Sequence, residues 1–291
     1  MHVRIHPTAV VSPLAVIHSN VEIGPMAIVE AGTVIGQGCQ LAGRATVKNN
    51  SVLGRDVKVG EGAVIGGMPQ HINPPESPGR VVIGERTVLR ENATVHRAMK
   101  SDGETRVGSD CLLMVGAHVA HDCRVGNRVI LTNNVLLGGH VQVGDRAVIG
   151  GGVAVHQNCR IGRLVMIAGC ARVVQDVPPF VMTDGETALI VGLNKIGLSR
   201  SGMSEAEVLE IKRAYRAIYR RGLPFSEMVA ALEAEFTAGP AAEFAVFFQG
   251  GHRGFVQERR SPPKVALRVH PAADDADESE AETIEFKRRA G

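Results

Sequence analysis

The sequence predicts a mainly β chain: a solenoid of short strands over residues 1–178, a small α-helical domain over 179–255, and a disordered tail over 256–291. Three observations carry this reading. An aliphatic side chain recurs at every sixth position, glycines punctuate the same frame, and no aromatic residue occurs before Phe180.

Stepping by six from Ile5 to Val173 meets Ile, Leu or Val at 26 of 29 positions, the exceptions being His71, Ser77 and Ser101. A six-residue step turns an α-helix by ~240°, so these side chains cannot share one helical face; short strands joined by corners can point them all inward. Glycine follows the aliphatic residue in Ile23-Gly24, Ile35-Gly36, Val59-Gly60, Val125-Gly126 and Ile161-Gly162. Such glycines suit corners that need positive φ or close backbone approach. Two stretches break the frame and read as loops standing off the solenoid. The first, Gly67 to Arg80, holds four prolines that cannot supply ladder hydrogen bonds; the second is Lys100 to Glu104. The repeat resembles the hexapeptide-repeat, left-handed parallel β-helix over residues 5–177, three hexads to a coil. The left hand is implied by that resemblance alone, because general connection statistics favour the right.

Past the solenoid, Met182 to Gly202 reads as a loop. Ser204 with Glu207 is a capping-box signature for a helix carrying Val208, Ile211, Tyr215, Ile218 and Tyr219, stopped by Gly222 and Pro224. Ser226 is placed to cap a second helix running through Phe236, and a third short helix carries Phe244, Phe247 and Phe248. Their apolar stripe reads as packing core. Arg213, Arg216, Arg220 and Arg221 make a basic face, either solvated or turned to an acidic partner. From Gln257 onward, Pro262-Pro263 and the acidic run Asp274 to Glu285 leave too little apolar surface to order the chain.

A hydrophobic share of 44%, a charged share of 21% and a formal net charge of +2 fit a globular protein and give no reason to expect nucleic acid as partner. No apolar run approaches the ~18 residues of a membrane-spanning helix, and the N-terminus MHVRIHPTAV lacks a secretory pattern, which places the protein in the cytoplasm. Cys39, Cys111, Cys123, Cys159 and Cys170 are odd in number without CxxC spacing, and read as reduced and structural.

The chemistry concentrates in Gly116 to Cys123, GAHVAHDC. With eighteen-residue coils, His118, His121, His140 and His156 gather along one edge of the prism, while His96 falls on a different face about one coil earlier. Asp122, directly after His121, favours a carboxylate-oriented general base over a metal-ligand set. A zinc hydratase built like the γ-class carbonic anhydrases, and a non-catalytic structural solenoid, are the competing readings.

The stretches GAHVAHDC, NNVLLGGHVQVGD, VHQNCRIG, VMIAGC and QDVPPFV resemble the UDP-N-acetylglucosamine acyltransferases that begin lipid A synthesis. The resemblance implies transfer of a (3-hydroxy)acyl group from acyl carrier protein to the sugar 3-hydroxyl, without cofactor or metal, by a homotrimer. It makes His121 the general base, Asp122 its orienting carboxylate, and the Gly139 N–H the oxyanion donor. Gln70, His71, His96, His118, His140, His156 and Gln157 become substrate-binding, Asn194 and Arg200 nucleotide-binding, and Gly169 the position that limits acyl length. His71, Asn73, Ile196 and Ser201 depart from the family's usual residues, so a nucleotide sugar with a 3-amino group is the alternative acceptor. The related N-acylating enzymes carry an N-terminal uridine-binding domain, for which no room is expected before Ile5.

Overall fold

The computed structural model describes residues 2–259. Through Val173 the six-residue frame becomes backbone: strands of two to four residues stack in parallel, coil upon coil, on three faces of nine, nine and eight strands. On the first face Ile5 pairs with Ile23, then Leu41, Val59, Leu89, Leu113, Leu131, Ile149 and Ile167. The second face runs from Val11 through Ile65, Val95 and Val119 to Val173, and the third from Ile17 through Ile83 and Val107 to Ile161. From the second coil on these frame residues are buried, each worth about 1.5–3 kcal/mol when removed from water. His71, Ser77 and Ser101, the frame's exceptions, lie outside every strand, in the two loops.

The corners divide two tasks. Positive φ falls three residues after the frame aliphatic, at Asn20, Met26, Asp122, Asn134 and His140 among others. The glycine directly after the aliphatic serves close approach instead: a Cβ on Gly36 would lie 2.5 Å from the Gly54 carbonyl oxygen of the next coil. Cys39, Cys111, Cys123 and Cys159 are buried and Cys170 is exposed, with no disulfide among the described residues.

The stretch expected to be a loop, 182–202, is mostly regular. Val181–Thr183 continues the first face beside Met166 and Ile167, Ile190–Leu193 returns antiparallel to it, and α1 spans Lys195–Ser199. Helix α2, Glu205–Arg220, carries the expected capping box of Ser204 and Glu207. Helix α3, Phe225–Glu235, starts one residue before Ser226; its N-cap is Pro224 with no side-chain cap, so Ser226 does not cap it. Helix α4 is Glu243–Gln249. Ile211, Leu232, Phe244 and Phe248 pack together with Leu164 of the last coils and with Phe180, whose ring meets Phe244 at 5.4 Å. Arg160 adds an ion pair to buried Asp176 at 2.7 Å and hydrogen bonds to the Phe247 and Gly250 carbonyls. Residues up to Glu258 accordingly form one compact unit, in which Tyr215 and Val256 join the solenoid's hydrophobic cluster and Leu164 joins that of the helices.

Val256 to Glu258, assigned by sequence to the tail, are held in place. Val256 is buried and donates to the Asp176 carbonyl, and the Tyr215 hydroxyl donates to Glu258 at 2.6 Å. The disorder expected for the remainder concerns 260–291, outside the described residues. No described helix is long and apolar enough to cross a membrane.

Candidate active site

His121 and Asp122 sit in the corner between the second-face strand His118–Val119 and the third-face strand Arg124–Val125. The left-handed φ of 61° at Asp122 turns its carboxylate back on the preceding imidazole. His121 Nδ1 lies 2.8 Å from Asp122 Oδ2. A carboxylate only accepts, so Nδ1 carries the proton and the lone pair of the neutral ring is on Nε2. Asp122 is itself fixed twice: its N–H donates to Thr105 Oγ1 at 2.7 Å, and Oδ2 accepts the Met99 N–H at 3.2 Å. Those bonds tie the loop at 100–104, on both its flanks, to the pair.

One coil further on, Gly139 lies directly against the His121 ring. A Cβ there would stand 2.6 Å from His121 Cε1 and 2.8 Å from Nε2, so any side chain would displace the imidazole. Among the described residues the Gly139 N–H has no hydrogen-bond acceptor, whereas Gly138 and His140 donate to the Val155 and His121 carbonyls. His140 packs edge-on to His121 with ring centroids 5.2 Å apart, its Nε2 3.7 Å from Asp122 Oδ2. One donor atom each from His121, Asp122 and His140 falls within 4.8 Å of the others.

His96 is not on a different face. The loop at 100–104 adds six residues to its coil, so Thr94 pairs with His118 across 24 residues rather than 18, and counting by eighteen misplaces everything before the loop. His96 and His118 share the second face, their rings edge-to-face at 4.9 Å. His118 Nδ1 is 2.8 Å from Thr94 Oγ1, a partner that only the 24-residue offset would have revealed. His96 is buried, its Nδ1 without a partner. Burial, with His118 and His121 nearby, pushes its pKa down to about 4; burial and His121 also lower that of His118.

The proline-rich loop reaches the same place. Its His71 ring stands edge-on to His121 at 6.4 Å, and His71 Nδ1 accepts the Asn73 N–H at 3.1 Å. Gln70 is exposed beside it. Both roots of the loop are held by the residues after His96: the Arg97 N–H donates to the Gly67 carbonyl, and the Ala98 carbonyl accepts the Gly79 N–H. His156 and Gln157 follow, exposed, further along the histidine edge.

Other sequence-nominated residues lie elsewhere on the chain. Gly169 is exposed at the corner between the first and second faces. Asn194 caps α1: its Oδ1 accepts the Gly197 N–H, and its Nδ2 donates to the Leu164 carbonyl at the corner between the third and first faces. Arg200 ends the same helix, exposed. One chain therefore brings together His71, His96, His118, His121, Asp122, Gly139 and His140, and leaves Gly169, Asn194 and Arg200 on its other two edges.

Residues 176–256 match the family model for UDP N-acetylglucosamine O-acyltransferase, domain 2, and residues 32–67 and 104–139 match the bacterial transferase hexapeptide model of six repeats. The structure is similar to that of the UDP-N-acetylglucosamine acyltransferase of Bacteroides fragilis, with a TM-score of 0.83 and 37% identity over 87% of this chain and 100% of that one. The Francisella novicida UDP-N-acetylglucosamine acyltransferase aligns with a TM-score of 0.84 and 33% identity, over 91% of this chain and 100% of its own. The Moraxella catarrhalis UDP-N-acetylglucosamine O-acyltransferase gives a TM-score of 0.82 and 35% identity, over 87% and 99%.

Proposed function

Because the chain belongs to the UDP-N-acetylglucosamine O-acyltransferase family, we propose that it moves an acyl group from acyl carrier protein to the 3-hydroxyl of UDP-N-acetylglucosamine, the opening reaction of lipid A synthesis, with His121 as general base. The observation that carries the mechanism is the 2.8 Å contact of His121 Nδ1 with Asp122, which leaves the Nε2 lone pair for substrate. Nε2 takes the hydroxyl proton as the sugar oxygen attacks the thioester carbonyl. The Gly139 N–H meets the charge that develops on the carbonyl oxygen, and Asp122 steadies the imidazolium. Collapse of the tetrahedral adduct breaks the carbon–sulfur bond, and His121 returns its proton to the departing thiolate of the carrier.

The neutral His96 and His118 serve the acceptor as uncharged donors or acceptors beside the base. A groove lined by Lys195, Lys212, Arg216 and Arg220 around Leu193 and Tyr215 gives an acidic carrier a complementary surface. Arg220 is paired with Glu258 at 3.2 Å and Arg221, the C-cap of α2, with Glu235, while Arg213 stacks over Phe236, so Lys195, Lys212 and Arg216 carry most of that complementarity. A 3-amino acceptor would use the same base, and mass spectrometry of products from both sugars distinguishes them.

His121→Ala is expected to cut acyl transfer at least ~10²-fold with the fold and sugar binding kept. His118→Ala is expected to lose less, and mainly through KM. Near-normal turnover by His121→Ala would refute the assignment.

A further inference from the structure

The base and its neighbours hold more ligand chemistry than proton transfer uses. His121, Asp122 and His140 place two imidazole nitrogens and a carboxylate oxygen within 4.8 Å of one another. Bonds of about 2.0–2.2 Å to a tetrahedral ion set its ligand atoms roughly 3.3–3.6 Å apart. The separations from Asp122 Oδ2, 2.8 Å to His121 Nδ1 and 3.7 Å to His140 Nε2, bracket that range. The His140 side chain is 50% exposed, so an ion has a path from solvent, while His121 and Asp122 are mostly covered. Two nitrogens and one oxygen suit zinc, cobalt or nickel; magnesium and calcium prefer oxygen alone. Three protein ligands also leave a fourth position open.

We infer that His121, Asp122 and His140 form a binding site for one zinc-class divalent ion, and that ion binding and acyl transfer exclude each other. The inference rests on the general-base role proposed for His121. A neutral imidazole has one lone pair. The nitrogen within reach of an ion that Asp122 also holds is Nδ1, 2.8 Å from Asp122 Oδ2, so the ring must then carry its proton on Nε2, and the hydrogen bond to Asp122 is replaced by a metal bond. The base is silenced, because no lone pair is left for the substrate proton, and removing the ion restores it without any covalent change. The site thus makes the enzyme's activity answer to free zinc.

The test uses the full chain stripped with a chelator. Cobalt titration should give the visible bands of a four-coordinate ion at one per chain, and zinc should displace it. Zinc should inhibit acyl transfer, chelator should reverse the inhibition, and saturating nucleotide sugar should protect. His140→Asn is the diagnostic variant, because Asn tolerates the left-handed φ of 61° at that position. Whatever its own rate, the zinc concentration that halves that rate should rise at least ~10-fold, and the cobalt bands should fade. Equal zinc sensitivity in both proteins, or no inhibition of an active zinc-free enzyme, overturns the inference and leaves the proposed function standing. A zinc-free protein that is inactive and regains turnover with zinc would overturn both.

Discussion

At the scale of single residues, the site depends on one missing side chain. His121 occupies the space that a Cβ on Gly139 would need, 2.6 Å from its Cε1, so the two positions are coupled sterically as well as chemically. Gly139→Ala is expected to keep the coil, since the displaced group is a side chain at a corner, but to push the imidazole off Asp122 and lower kcat on the order of 10²-fold. Far-ultraviolet circular dichroism and kcat measured on one preparation check both halves. His96 makes a separate, pH-dependent prediction. Its folded pKa of about 4 lies below the ordinary 6.5, so the unfolded chain binds the extra proton first as pH falls. Its stabilising contribution is complete above pH 6.5 and is lost progressively toward pH 4, on the order of 3 kcal/mol in all. Urea unfolding across that interval should show the loss, and His96→Gln should flatten it; an unchanged slope in the variant would remove His96 as the cause.

Among the elements, what the sequence disclosed follows from where its periodicity is strict. The frame residues from Ile5 to Val173 pair on three faces as the six-residue step requires, because an aliphatic interior leaves each coil one register. The helix at Glu205–Arg220 was legible for a local reason, the Ser204–Glu207 box, which needs nothing beyond three residues of chain. Sequence and structure differ where distant parts meet. A count of eighteen puts His96 on the wrong face because it ignores six residues spent in a loop. Residue type alone offers Ser226 as a cap, yet Pro224, which needs no donor there, takes the position. The strands at Val181–Thr183 and Ile190–Leu193 lack the repeat; they exist because the first face offers an unpaired edge beyond Met166 and Ile167. The same limit applies to the site. His121 and Asp122 are adjacent in sequence and could be paired by reading, whereas Met99 and Thr105, which hold Asp122, and Thr94, which meets His118, come from another coil.

For the whole molecule, the residues that the family resemblance assigns to the site lie on three different edges, and the proposed reaction has to account for that. A left-handed parallel β-helix is convex everywhere, so a base on one edge, Gly169 on a second and Asn194 with Arg200 on a third cannot act on one substrate within a single chain. They can if edges of neighbouring chains meet. The first face supplies the means: Val88, Leu112, Ile130, Val148 and Met166 form an outward aliphatic row in register, beside the coils that carry the histidines. Each of the five is half-buried in the single chain, which leaves an apolar stripe partly open to water. We propose that this row packs against the next chain, three times around an axis, which would close the contact and turn each histidine edge into a cleft that excludes water. Light scattering is expected to find three chains per particle. Ile130→Glu, which puts a charge on the outer row without entering the core, should release folded monomers with little acyl transfer. A monodisperse monomer of the unaltered chain with full turnover would show that one prism suffices, and the roles of Gly169, Asn194 and Arg200 would then have to be given up together.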